Sequence, residues 1–239
     1  VDKLREAFKQ LGFSGMEEVA LGADLCTIQE SEDFLEEVPE KIPFMGTSCC
    51  PAWSVMAKKE FPKNADCISM ALTPMTLTAR LIRKQHPNAK IVFVGPCSAK
   101  KLEAMRESVR SEVDFVLTFE EMAGMMSAKE IDYTKLAGEG GDFDVASADG
   151  RGFAVAGGVA TAVANAIHKR YPEREVKVAN AEGLEECRKL MKDAVKGKYD
   201  GYLLEGMACP GGCVAGAGTL TAVNKTAAAV KRYAKTSPR

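Results

Sequence analysis

Apolar residues recur three and four positions apart over residues 2–11, where Leu4, Phe8 and Leu11 share one helical face and Gly12 follows as a stop. The same reading predicts helices over residues 27–37, from Pro51 onward, from Thr73-Pro74 through Leu81 and Ile82 to just before Pro87, and over 119–127. Short apolar runs without helical period stand between them, at residues 42–46, 90–94, 113–117, 176–179 and 199–204, and read as buried strands. A long small-residue helix over 153–170, containing Gly157-Gly158, and an amphipathic one over 184–196 complete the second half. Strand and helix alternate, which predicts an α/β fold of mostly parallel twisted sheets flanked by helices, with ligand sites past the carboxyl ends of the strands. Gly, Asp, Ala and Ser crowd residues 138–152, so a seam is expected there. It divides one domain, residues 1–239, into lobes 1–137 and 153–239, with the site between them.

Composition narrows the function classes. Apolar residues make up 46% and charged residues 27% of the 239 positions, enough for a substantial core. A net charge of -1 from interspersed signs leaves no basic stripe for a nucleic acid. No apolar run reaches the roughly 18 to 20 residues that a membrane helix needs. The chain is therefore expected to contact neither nucleic acid nor membrane, and its expected location is the cytoplasm.

Eight cysteines are many, and they cluster instead of spreading as a disulfide framework would. Cys49 and Cys50 are adjacent, Cys97 follows Gly95-Pro96, and Cys209 and Cys213 enclose Pro210-Gly211-Gly212. Cys26, Cys67 and Cys187 sit inside apolar patterns and read as core. The clustered set lies in three loops at predicted strand ends, each with Gly or Pro, so backbone can approach a bulky inorganic ligand and aim N–H groups at its sulfurs. Zinc favours tight C-x2-C knuckles, and neither His86 nor His168 is near these loops in sequence. Iron-sulfur chemistry is the better match.

Three segments in order, Thr47-Ser48-Cys49-Cys50-Pro51-Ala52-Trp53, Gly95-Pro96-Cys97-Ser98-Ala99-Lys100-Lys101-Leu102-Glu103 and Glu205-Gly206-Met207-Ala208-Cys209-Pro210-Gly211-Gly212-Cys213, resemble the signatures of iron-iron (FeFe) hydrogenases. Ser69, Thr73-Pro74 and the stretch from Gly152-Phe153 to Val159 extend the likeness over nearly the whole chain. The resemblance implies that Cys50, Cys97, Cys209 and Cys213 hold a 4Fe-4S cubane. Cys213 would also bridge to a two-iron subsite with carbonyl, cyanide and azadithiolate ligands, the two together forming the H-cluster. It implies that Cys49 relays protons, that Ser69 and an acid of the Glu30-Ser31-Glu32-Asp33 run, Glu30 or Glu32, continue the path, and that Lys100 faces a cyanide ligand. Met207, Phe153, Pro74 and Gly95 would line the cofactor.

The implied activity is that of an oxidoreductase, a hydrogenase interconverting dihydrogen with protons and electrons. The implied partners are a ferredoxin, or N-terminal ferredoxin-like modules absent from this chain, and hydrogenase maturation proteins; an anaerobic setting goes with them. The family's domain begins some tens of residues earlier, so a preceding segment is expected. Departures from the pattern point to a divergent branch: Gly95 replaces a methionine, Met75 a glutamine, and Val214-Ala215-Gly216-Ala217-Gly218-Thr219 a glycine run. They raise a second reading, a hydrogenase-like sensory or iron-sulfur binding protein with little or no turnover. A third reading, a relative serving in iron-sulfur assembly, keeps the cubane cysteines alone.

Overall fold

The structure, a computed structural model, describes residues 1–138 and 146–237. Its helices are α1 (Asp2–Gln10), α2 (Ala20–Glu37), α3 (Pro51–Glu60), α4 (Pro74–Gln85), α5 (Ala99–Met105), α6 (Phe119–Ala128), α7 (Ala148–Gly152), α8 (Gly158–Arg170), α9 (Leu184–Ala194) and α10 (Val223–Ala234). Its strands are β1 (Met45–Gly46), β2 (Val92–Val94), β3 (Phe115–Leu117), β4 (Lys177–Glu182) and β5 (Tyr202–Met207). They form two sheets, one of order β1-β5-β4 and one pairing β2 with β3, and every pairing is parallel. The expected α/β class with helix-flanked parallel sheets is what the chain adopts. Residues 139–145, within the expected seam, lie outside the described residues.

β5 is the central strand, with Met45 opposite Leu203 and Gly46 opposite Leu204 on one side and Lys177 to Glu182 opposite Tyr202 to Met207 on the other. Because side chains alternate along a strand, β5 feeds two cores. Leu204 packs with Phe44, Trp53, Ile68 and Met191 under α3 and α9. Leu203 packs with Phe34, Met45, Val163 and Ile167 under α2 and α8.

Several elements differ from the sequence expectation, among them α5, which was not expected, and α7, a helix within the expected seam. α2 begins at Ala20 and runs through Gly22, since that glycine abuts the Pro74 carbonyl and the Thr78 hydroxyl with no space for a Cβ. The expected helix over 153–170 starts only at Gly158, because Gly157 takes φ +83° and breaks the run. α10 was not expected; it docks through Tyr233, whose ring lies 4.2 Å from the Arg151 guanidinium carbon, and Arg151 pairs with Glu18 at 2.9 Å.

Trp53 joins the first and third motif segments. Its Nε1 donates to the Thr47 carbonyl at 3.0 Å, and its ring covers Gly206 so closely that a Cβ there would overlap it. Gly206→Ala is therefore expected to cost about 2 kcal/mol of stability by overpacking. Urea unfolding followed by the fluorescence of Trp53, the sole tryptophan, measures this; an unchanged midpoint would show that the ring moves aside freely.

Candidate metal centre

Four cysteines leave the carboxyl ends of three parallel strands. Cys50 follows β1 and immediately precedes Pro51, which occupies the first turn of α3 and fixes the turn out of the strand. Cys97 follows β2, and Cys209 and Cys213 follow β5. All four are free and partly exposed, whereas Cys26, Cys49, Cys67 and Cys187 are free and buried.

β1 and β5 are hydrogen-bonded neighbours, which brings their loops together: the Ala208 N–H donates to Cys50 Sγ at 3.5 Å. The Cys97 loop belongs to the other sheet and is tied in by the tail of the third motif. There the Gly218 N–H donates to the Pro96 carbonyl at 2.9 Å, and Gly216 lies against that carbonyl with no room for a side chain. Gly211 and Gly212 take φ +100° and +88°, a conformation that L side chains rarely adopt. The Gly211 N–H donates to Glu182 Oε2 at 2.7 Å, and the Gly211 carbonyl accepts from Ala156 N at 3.2 Å.

The thiols act on one another electrostatically. Burial pushes Cys213 up to about 12, and the negative charges that Cys50 and Cys97 would carry push in the same direction. Cys209 is raised by burial, then by Cys97 and Cys50. Desolvation and mutual repulsion thus oppose thiolate formation, and a cationic core reverses both terms. Among the described residues no three Cys, His, Asp or Glu side chains gather as a single ion needs. A zinc ion draws each thiolate to about 2.3 Å, whereas a cubane holds thiolates at separate iron corners. Four loop-borne thiols from three strand ends, with glycine-rich backbone and an N–H already on one sulfur, fit an iron-sulfur core.

Beside them lies a packed apolar cluster. Cys49 is buried with Ala23, Cys26, Ala71, Phe153, Val159 and Met207, and burial followed by the Glu30 charge raises its thiol well above the usual range. Lys100 is buried on α5; its Nζ donates to the Cys49 carbonyl at 3.3 Å and to Glu103 Oε2 at 2.6 Å. Thr73 Oγ1 donates to the other Glu103 oxygen at 2.8 Å.

Glu30 is fully buried on α2 and accepts at Oε1 from Ser48 N at 2.8 Å and Ser48 Oγ at 3.0 Å, while its Oε2 has no aligned donor. Burial lifts its pKa to about 7, against the opposing pull of Ser48 and, more weakly, the Ser69 hydroxyl. Glu32, by contrast, faces outward and pairs with Arg170 at 3.1 Å, so the structure does not bring it to Ser69. Asp33 lines a 750 Å³ cleft together with Ser69, Met70 and Leu77. Pro74 opens α4, and Gly95 N donates to the Leu117 carbonyl at 3.0 Å. Met75 is buried and lines a separate, larger cavity of 1170 Å³, which none of the four clustered cysteines borders.

Sequence reasoning had Asp33 only as one acid of the Glu30-Ser31-Glu32-Asp33 run and Glu103 only as a motif letter, and it missed the position of Cys26 beside Cys49. Glu103 stands three residues after Lys100, a helical neighbour spacing that becomes informative once α5 is known to exist. Cys26 stands one helical turn before Glu30 on α2, so it faces the same interior.

The family model of the iron only hydrogenase large subunit, C-terminal domain, matches residues 1–217. The chain is 28% identical over 257 residues to iron hydrogenase 1 of Clostridium pasteurianum, covering 90% of this chain and 45% of that protein. It is 32% identical over 142 residues to the cytosolic Fe-S cluster assembly factor NAR1 of Debaryomyces hansenii, covering 52% of this chain and 26% of that one. The chain spans about half the length of the curated relatives that it matches along most of its own. The solved [FeFe]-hydrogenase HydA(deltaEFG) superposes with a TM-score of 0.74 at 24% identity, covering 98% of this chain and 76% of that one, a likeness of fold.

Glu30 gives the fold a pH dependence. Its pKa in the folded protein, about 7, lies above the ordinary 4.5, so the native state holds the proton more tightly than the unfolded chain. The contribution is fully present below pH 4.5 and is lost as pH rises through about 7, a decrease on the order of 3 kcal/mol. Glu30→Gln is expected to remove most of that slope in urea unfolding read at Trp53; an identical slope in the variant would assign it to other groups.

Proposed function

The chain belongs to the iron-only hydrogenase large-subunit family, matching its C-terminal domain, and from that premise we propose that it interconverts dihydrogen with protons and electrons. The observation that carries this reading is the convergence of Cys50, Cys97, Cys209 and Cys213 from the ends of β1, β2 and β5, with the Ala208 N–H on the Cys50 sulfur. These four would hold a 4Fe-4S core, and Cys213 would also bridge to a two-iron subsite with carbonyl, cyanide and azadithiolate ligands. When bound, that group supplies the metal site for the hydride and the route for electrons.

The protein's part is to hold, orient and move protons. Cys49 takes and returns the proton at the inner end of a line that continues to Ser48, Glu30 and Ser69 and reaches Asp33 in the cleft. A carboxyl titrating near 7 exchanges protons in both directions at neutral pH, which suits Glu30 to the middle of that line. Lys100 offers a charge-assisted hydrogen bond to an anionic cyanide. Phe153 and Met207 keep the pocket dry, which strengthens each of these interactions. Pro74 and Gly95 shape its wall. The partners proposed are a ferredoxin, or ferredoxin-like modules, for electrons and maturation proteins for the cofactor. Cytoplasmic residence is part of the proposal; no helix among the described residues is long and apolar enough to cross a membrane.

A second reading, an iron-sulfur binding or sensory protein with little turnover, draws support from Gly95, from Met75 lining the separate cavity, and from the likeness to an Fe-S assembly factor. One experiment separates the two. Full-length protein reconstituted with iron and sulfide is expected to bind about four irons per chain, and Cys97→Ala to lose them. After loading with a synthetic two-iron complex, hydrogen evolution from reduced methyl viologen is expected. Carbonyl bands in the infrared without evolution would favour the second reading, and failure to bind iron would reject both.

A further inference from the structure

Lys100 is a buried ammonium, and what faces it from the protein is a carboxylate. Glu103 Oε2 stands 2.6 Å from its Nζ, the side chains being only 10% and 4% exposed. Its other hydrogen-bond acceptor, the Cys49 carbonyl at 3.3 Å, belongs to the loop that carries the first cluster cysteine. The other Glu103 oxygen is held by the Thr73 hydroxyl at 2.8 Å, from the residue that leads into α4. Three segments distant in sequence are therefore joined through the Lys100–Glu103 pair, and both oxygens of the carboxylate are taken. So deeply buried, such a carboxylate does two things: it fixes the direction of the ammonium, and it draws off part of the donor strength that Lys100 would otherwise give to an anion.

We infer that Glu103 is a positioning residue that acts through Lys100, setting how strongly the ammonium bonds to an anionic ligand of the cofactor, and that Thr73 tunes Glu103 in turn. This rests on the reading of Lys100 as a cyanide partner given above. The two partners of Glu103 compete for its charge. Weakening the carboxylate frees the ammonium toward cyanide; removing the Thr73 donor concentrates the carboxylate on Lys100 and withdraws the ammonium from cyanide. The signs are opposite, whereas a packing defect carries no such sign.

The test uses the full-length protein loaded with a synthetic two-iron complex bearing carbonyl and cyanide ligands, read by infrared spectroscopy. A stronger hydrogen bond at the cyanide nitrogen raises the cyanide stretch and, by drawing electron density from iron, the carbonyl stretches as well. Glu103→Gln keeps the shape and an acceptor oxygen but removes the charge, and is expected to move these bands up. Thr73→Val keeps the shape and removes the donor, and is expected to move them down. Bands that stay in place, or that move the same way in both variants, overturn the inference. Should Glu103→Gln not fold, Thr73→Val decides alone by its direction. Lys100→Met is the control: if it too leaves the cyanide bands in place, the assignment of Lys100 falls, whereas a shift there with none in the Glu103 and Thr73 variants sinks only the role of Glu103.

Discussion

Four thiols carried on loops from three strand ends, near enough to raise one another's proton affinity, are the constraint around which the rest of this molecule is arranged. Burial alone pushes Cys213 to about 12, and each neighbouring sulfur that ionises makes the next harder to ionise. Such a set is unfavourable unless something positive sits among the thiolates, so the fold must hold the loops by other means. Backbone does most of this. Parallel pairing places β1 beside β5, and the Gly218 N–H on the Pro96 carbonyl anchors the loop from the second sheet. Gly206 under Trp53, Gly212 against residues 154–156 and Gly216 against Pro96 are positions where any side chain would force segments apart.

The charges around this centre follow one logic, in which each buried ion is met by an opposite charge or by backbone dipoles. Lys100 is paired with Glu103. Glu205, just before the third motif's cysteines and almost fully buried, accepts from Gly157 N and Ala160 N, both at 2.7 Å, at the start of α8. The helix dipole and N–H groups that have no partner within the helix favour a carboxylate there, though burial outweighs them and raises its pKa above the ordinary value. The same contact fixes the turn after Phe153 against β5, so a charge serves to place an apolar wall. Glu30 departs from this logic. It has hydrogen bonds but no cation, its Oε2 is left over, and its proton affinity is correspondingly high. A group left on the edge of ionisation is a liability for stability and an asset for passing protons.

The parallel α/β class and the placement of the cysteines after strands were legible because their signals are local. An apolar run followed by Gly-Pro-Cys or Cys-Cys-Pro states both the strand and its end, and the parallel α/β class follows from alternation. What stayed hidden needed tertiary distance. α2 was expected only from residue 27, and the approach of α4 shows why glycine is required at position 22. Glu32 and Glu30 are equivalent as letters; the helix rotates one to Arg170 at the surface and the other onto Ser48. Glu103 was visible as a motif letter but had no role until α5 placed it between Lys100 and Thr73.

The buried Glu30 and the cysteine loops are therefore not independent structures. α2 carries Glu30 and Cys26, and its position is set where Gly22 touches the start of α4. The start of α4 is also where Thr73 holds Glu103, which holds Lys100, which holds the Cys49 carbonyl. Ser48, one residue before Cys49, closes the loop by donating to Glu30. A displacement at any member is passed to the others through contacts too close and too dry to absorb it. In such a closed ring of short polar contacts, Glu30 and Lys100 are tied together by the same few hydrogen bonds. A substitution that retunes one will therefore be felt at the other, even though Glu30 and Lys100 share no direct hydrogen bond.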